Sequence, residues 1–240
     1  MDEDKLKELN LTKVAQKKRE YKVEGSPNIG LYFTSPMQTK GYEFPIQVGH
    51  AFRQVNKSFY EKNMHAMELY LPGISEDDYH TNADLISDIC KNSGIVFIIK
   101  SRVELIEKYN AEGVILDDSE AANLEGIRKK YGEDFIIGID CKGCMDTAKK
   151  YVDNDIIDYV TFEYSGDSVF ELVGFWKSNS EKPCSVRGYI TPQICEKLVQ
   201  TGVDFIGCGE YVWEKKEEVA QAIEEISTTI ESAISGRNLQ

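Results

Sequence analysis

The chain is short of histidine, of positive charge and of long apolar runs. Its three histidines, His50, His65 and His80, show no ligand spacing, so surface positions are expected for them and a histidine-built metal centre is not. Lysine and arginine number 28 against 41 aspartate and glutamate, a formal net charge of −13 with a sequence pI near 4.8. That charge repels nucleic acid and anionic membrane, and neither is expected as a partner. No apolar run reaches spanning length, no secretory leader is recognisable and low-complexity segments are absent. The six cysteines, Cys90, Cys141, Cys144, Cys184, Cys195 and Cys208, are scattered. Reduced thiols in a cytoplasmic protein are therefore expected.

What the chain does have is a repeated alternation. Ile95 to Asp140 reads IVFIIK, SRVELIEKYNAE, GVILDD, an amphipathic run to Gly132, then DFIIGID. Short β-branched runs closed by charge or hydroxyl are expected of parallel strands buried on both faces. The stretches between them have helical period, with Gly113 and Gly132 at the returns. The same grammar continues in both directions, with IGLYFTS, HAMELYL, DYVTFEY, PCSVRGY and DFIGCGEY read as five further strands. Helices are read from about Val48 to Asn63, after a long polar loop holding Pro36, Gly41 and Pro45, and from Ser75, a capping residue before first-turn acids. Others are read from Met145 to Asp153, Ser168 to Lys177, Thr191-Pro192 to Gly202 and Glu214 to Ser235. Eight strands alternating with helices predict an α/β fold, a closed (β/α)8 TIM barrel over residues 28–236, because an open sheet leaves two edges to protect. A hydrophobic content of 41% in 240 residues supports one such domain. Residues 1–27 are read as a charged helical extension whose Lys17-Lys18-Arg19 patch is a solvated face.

In a barrel of this kind the C-terminal ends of the strands form the active rim. Those ends carry Glu68, Asp117, Asp118, Glu120, Asp140, Glu163 and Glu210 against Lys100, Arg102, Lys142 and Arg187. Such a rim suits a cation better than a polyanion. Asp117, Asp118 and Glu120 fit either a metal site or the N-terminal cap of the next helix. Cys141-Lys142-Gly143-Cys144 has the spacing of a zinc or redox pair, without the second pair a zinc site needs. Tyr70, Tyr164, Tyr189 and Tyr211 line the mouth for stacking on a planar ring, or serve packing alone.

Six segments occur in order: MELYLPG, IIKSRVEL, AEGVILDDSE, FIIGID, GYITPQ and VDFIGCGEYVW. They resemble segments of the types VQLRDKG, IINDRVDL, ADGVHLGQED, LIIGVS, GGITPE and ADGVAVVSAIF in the thiamine phosphate synthase family and its relatives, the thiazole tautomerases. The resemblance implies a TIM barrel of thiamine biosynthesis that joins a hydroxymethylpyrimidine diphosphate to a thiazole phosphate and releases pyrophosphate. The implied path is dissociative, with the pyrimidine leaving as a cation. It requires Mg²⁺ and cationic donors for the departing pyrophosphate, and a donor-rich cup for the phosphate.

Carried onto this sequence, the resemblance places catalytic positions at Lys100, Arg102 and Asp140. Substrate and phosphate positions fall on Glu68, Tyr70, Arg187, Gly188, Tyr189, Gly209 and Glu210, and metal positions on Asp118 and Glu120. Several are substituted. Glu68, Tyr70 and Pro72 stand where the family has Gln, Arg and Lys, and Lys100-Ser101 replaces an Asn-Asp pair whose Asp binds Mg²⁺. Asp140 and Glu210 each replace a Ser, and Gly188-Tyr189 replaces a double glycine. Weak Mg²⁺ binding and a low rate of the family reaction are the expectation. Two alternatives stand beside it, a family member that binds or isomerises a small thiazole- or pyrimidine-like ligand, and a non-enzymatic scaffold or regulatory protein. A small-molecule ligand is the expected partner, and self-association into a homo-oligomer is compatible with the sequence.

Overall fold

The alternation read in the sequence becomes eight parallel strands, each followed by helical structure, in the computed structural model, which describes residues 29–54 and 64–237. The strands are β1 Gly30–Thr34, β2 Met64–Leu69, β3 Val96–Lys100, β4 Gly113–Asp117, β5 Ile136–Lys142, β6 Tyr159–Glu163, β7 Cys184–Gly188 and β8 Phe205–Cys208. The helices are α1 Glu43–Gln54, α2 Glu76–Ser93, α3 Ile106–Tyr109, α4 Leu124–Tyr131, α5 Met145–Tyr151, α6 Ser168–Asn179, α7 Pro192–Thr201, α8 Glu210–Trp213 and α9 Val219–Arg237. Each strand pairs with its sequence neighbours, and β1 pairs with β8 to close the barrel. Among the described residues no helix is long and apolar enough to cross a membrane.

Strand alternation sorts side chains into two layers. Leu31 and Phe33 of β1, Met67 and Leu69 of β2 and Ile137 and Ile139 of β5 face outward and join the helices in the main core. Tyr32, Ala66, Val96, Ile98 and Ile115 point inward and form a separate cluster, against which Ile136, Tyr159 and Phe205 pack. Rings fit inside the barrel because glycines face them. A Cβ on Gly138 would lie 2.5 Å from the Tyr159 ring, and one on Gly207 would lie 2.7 Å from Tyr32 and 2.8 Å from the Cβ of Arg187. Above the apolar layer, the Tyr32 hydroxyl lies 3.4 Å from both Thr161 Oγ1 and Ser185 Oγ. These hydroxyls form a polar shelf beneath the C-terminal mouth.

Several local expectations hold for the reasons given in the sequence. Ser75 Oγ accepts from the Asp78 N–H, Pro192 opens α7, and Gly202 closes it with φ 81°. Other boundaries move. Helix α1 begins at Glu43 rather than Val48, because Pro45 lies in its first turn, where the missing N–H has no intrahelical partner to lose. The remainder of that expected helix, residues 55–63, and the 1–27 extension lie outside the described residues. β8 ends at Cys208 and does not run on to Tyr211, since the Val212 and Trp213 N–H groups turn back to the Gly209 carbonyl and form α8. The last helix starts at Val219 rather than Glu214, after a 3-10 turn at Lys216–Glu218. His65 is half-buried against Phe205, not a surface residue.

Candidate active site

Alternation puts the last inward residue of each strand at the mouth, and on six strands that residue is charged, Glu163 of β6 lying exposed at the rim. Glu68 (β2), Lys100 (β3), Asp117 (β4), Asp140 (β5) and Arg187 (β7) all converge there. The Arg187 guanidinium donates to Glu68 Oε1 at 2.8 Å and, through its other terminal nitrogen, to Asp140 Oδ2. Lys100 Nζ donates to the same Asp140 oxygen and lies 3.3 Å from Asp117 Oδ1. Lys142 joins from the rim, 3.4 Å from Asp117 Oδ2. Three carboxylates thus meet three cations, and the inner members are out of water: side-chain exposure is 0% for Glu68 and Asp140, 3% for Lys100 and 10% for Arg187.

Burial and charge compete at each of these groups. Burial pushes the Glu68 carboxyl above its usual range, and the opposing pull of Arg187 and Lys100 does not bring it back. At Asp140 burial also acts upward, but Arg187 and Lys100, aided by hydrogen bonds from Lys100 and the Lys142 N–H, hold the carboxyl below its usual value. Arg187 is stabilised as a cation, since Glu68 and Asp140 outweigh its own desolvation. Glu68 Oε2, Asp117 Oδ1 and Arg187 Nε remain buried without hydrogen-bond partners. They are the polar valences this centre leaves open.

Two non-glycine residues in left-handed backbone shape the rim, Ser101 with φ 61° and Lys142 with φ 52°. The second lies at a bulge between β5 and β6, which directs Lys142 toward Asp117 while its N–H bonds Asp140 Oδ1 at 2.9 Å. Ser101 Oγ donates to Glu120 Oε2 at 2.8 Å, and the same oxygen accepts the Asp117 N–H at 2.8 Å. Asp117 and Glu120 make a reciprocal capping box at the head of the helical segment after β4. Asp118 faces elsewhere, accepting from Lys150 and from the Tyr151 hydroxyl, each at 2.7 Å. The expected Mg²⁺ positions therefore do not fit the ion as they stand. One carboxylate is spent on a cap and the other neutralised by an ammonium, and Mg²⁺ needs carboxylate oxygens free to bind it. Among the described residues no group of three or more His, Cys, Asp or Glu side chains is placed to hold a metal.

On the far side of the mouth, Gly188 has φ 126°, and a Cβ there would lie 3.4 Å from the Tyr164 carbonyl. A Cβ on Gly209 would lie 2.5 Å from Thr34 Oγ1. Both positions let backbone approach closely, as a phosphate cup requires. Glu210 is the first residue of α8, the short helix that follows Gly209. Tyr189 packs edge-on to Tyr211 at 5.9 Å, and its hydroxyl donates to Glu214. Tyr70 lies beneath Lys100, whose Nζ is 4.5 Å from the ring centroid.

Of the residues expected from sequence, the structure brings together Glu68, Tyr70, Lys100, Asp140 and Arg187 as one contact set, with Gly188, Tyr189, Gly209 and Glu210 at the ends of β7 and β8. Arg102 is not among them. Both its terminal nitrogens are held by Glu76 at 2.7 Å and its guanidinium lies 4.0 Å over the Tyr79 ring, on the outer wall. Sequence reasoning put Asp117 and Lys142 on the rim, with a metal site or a helix cap as the alternatives for Asp117, and missed the shelf of Tyr32, Thr161 and Ser185. The signal for the shelf was present: Thr161 and Ser185 lie two positions before Glu163 and Arg187, on the same strand face.

A family model described as thiamine monophosphate synthase matches residues 46–164, from α1 through β6. The chain is similar to the thiamine phosphate synthase family. It is 27% identical over 201 residues to the thiamine-phosphate synthase of Erythrobacter litoralis, which spans 79% of this chain and 91% of that relative. A second family member, from Phocaeicola vulgatus, is 25% identical over 170 residues, 65% of this chain and 80% of the relative. Among solved structures, thiamine phosphate pyrophosphorylase from Pyrococcus furiosus superposes with a TM-score of 0.67 at 18% identity, covering 86% of this chain and 98% of the other. The tryptophan synthase α-subunit of the same organism reaches 0.59 at 12% identity, covering 85% and 98%. The two superpositions establish a shared barrel, while the sequence matches give the kinship. The mouth of this chain is built of carboxylates and cations that satisfy one another.

Proposed function

We propose that the chain is a thiamine phosphate synthase-like protein that takes a hydroxymethylpyrimidine diphosphate and a thiazole phosphate at the C-terminal mouth and joins them slowly, releasing pyrophosphate. The observation that carries this reading is the buried network of Glu68, Arg187, Asp140, Lys100 and Asp117. In a dissociative reaction positive charge develops on the pyrimidine as its bond to the diphosphate breaks. Carboxylates at Glu68, Asp140 and Asp117 favour that charge, and the Tyr70 ring offers a face on which a planar heterocycle stacks. The same network works against the leaving group. Pyrophosphate needs cationic donors as it departs, and Lys100 and Arg187 are already committed to carboxylates. Withdrawing either cation leaves a buried carboxylate unpaired, so diphosphate departure limits the rate.

The thiazole phosphate has its seat between Gly188-Tyr189 and Gly209-Glu210, where close backbone and the head of α8 supply N–H donors. Glu210 opposes the phosphate there, at a cost of about 1 to 4 kcal/mol for effective dielectrics of roughly 80 to 20. Asp118 and Glu120, the positions expected for Mg²⁺, are engaged by Lys150, Tyr151, Ser101 and the Asp117 N–H. A second reading has support from the excess of carboxylates: the mouth holds a smaller cationic or neutral thiazole- or pyrimidine-like ligand and breaks no phosphate bond. A coupled assay for thiamine phosphate, run beside phosphate-ligand titrations of the natural protein and Glu210→Ser, tests the proposal. Detectable turnover below about 1 s⁻¹ is expected, with tighter phosphate binding in the variant. Turnover at or above that rate, or weaker binding in the variant, overturns the account of the mouth, and no turnover at all favours the second reading.

A further inference from the structure

The C-x-x-C that begins in the last residues of β5 takes no part in the reaction above. None of the six cysteines forms a disulfide, and Cys144 is the exposed one. Its N–H donates to the Cys141 carbonyl at 3.0 Å, closing a four-residue turn in which Lys142 is left-handed. Turns of this kind bring their first and last Cα within about 7 Å, and disulfides span Cα separations of roughly 4.4–6.8 Å. Asp140 faces the barrel interior, so Cys141, one residue on, packs in the outer layer, and Cys144 is the exposed N-cap residue of α5.

We propose that Cys144 is a thiol-exchange site and Cys141 its resolving partner, so that a low-molecular-weight disulfide closes a Cys141–Cys144 bond in the turn that carries Lys142. The two thiols suit different roles. The Thr147 hydroxyl, with the N–H groups of Thr147 and Asp146, lowers the pKa of Cys144, whereas burial raises that of Cys141. The accessible thiol with more thiolate attacks first. The Cys144 thiolate displaces one thiolate from the small disulfide and forms a mixed disulfide. Cys141 then loses its proton to solvent and attacks the Cys144 sulfur, expelling the second small thiolate. The protein gives up two electrons and two protons, and the small disulfide becomes two thiols. Cys90, Cys184, Cys195 and Cys208 are buried, which confines the exchange to this turn. Lys142 lies between the two sulfurs in sequence and contacts Asp140 through its N–H and Asp117 through its ammonium. Redox state thereby reaches the mouth through one residue.

The test uses the full chain, incubated with oxidised glutathione under native conditions and analysed by mass spectrometry with non-reducing peptide mapping. The natural protein is expected to lose two hydrogens and yield a Cys141–Cys144 peptide. Cys144→Ser is expected to stay unmodified, and Cys141→Ala to stop at a glutathione adduct on Cys144, with Cys141→Val as the second variant where alanine disturbs the fold. A natural protein that keeps its glutathione adduct with Cys141 free overturns the pairing, and modification of Cys144→Ser at the natural rate overturns the site. Hydrogen exchange of the peptide containing Lys142 reads the link to the mouth: altered protection after oxidation is expected, and identical protection in both forms removes it.

Discussion

Arg187 is the residue on which the mouth depends. Among the described residues it is the one side chain that bonds both Glu68 and Asp140, and its removal leaves two buried carboxylates short of a partner. Arg187→Met is expected to cost about 3–5 kcal/mol in urea unfolding, the range for breaking a buried pair from one side. Glu68→Gln is expected to cost less, because the amide oxygen still accepts from Arg187 and Arg187 keeps Asp140. The two carboxyls also respond oppositely to acid. Asp140 has a depressed pKa in the fold, so its contribution is present above its unfolded value of about 3.9 and is lost as pH falls through the folded value. Glu68 has a raised pKa, so its ionised form costs stability at neutral pH. That cost is relieved as pH falls through the folded value toward the unfolded one of about 4.3. Unfolding midpoints followed downward from pH 7 should therefore carry a favourable contribution from Glu68 before the loss from Asp140, and Glu68→Gln should abolish the first. The charged ends of the strands were legible from alternation alone. Their pairing was not, since Glu68 and Arg187 are 119 positions apart and nothing local says which charges face each other across a barrel.

Elements were legible wherever an apolar run ended in a turn residue, and misread where a breaker had a permitted place. Pro45 was taken for loop although the first turn of α1 accommodates it, and Gly209-Glu210 was taken for strand although it opens α8. Inward glycines gave no sequence signal of their role, because the ring each one faces comes from a neighbouring strand. They support a paired prediction. Gly207→Ala puts a methyl against Tyr32 and the Cβ of Arg187, and is expected to destabilise by about 1–3 kcal/mol. Gly126→Ala, inside α4 with nothing within 4 Å of the added carbon, is expected to stabilise by about 0.5–1 kcal/mol. Thermal or urea unfolding of the two variants separates them, and a Gly207→Ala protein as stable as the natural one would refute the described ring packing.

At the scale of the whole molecule, the charge of −13 acts on any anionic ligand before it reaches the mouth. Thiazole phosphate affinity, measured by titration, is expected to rise between low salt and about 0.1 M, where the screening length falls to about 10 Å. A fall over that range would show that unpaired cations dominate the approach. The closed seam, finally, bears on how the chain is made. Trp213 donates its indole N–H to the Thr34 carbonyl across 179 positions, and β1 finds its second neighbour only in β8. During synthesis the first strands leave the ribosome long before the last. Until β7 emerges, Glu68 and Asp140 have Lys100 but not Arg187, and a shorter barrel that closed early would bury two carboxylates with a single inner cation. The ion network thus discriminates between unfinished and finished chains, penalising closure until the strand carrying Arg187 has arrived.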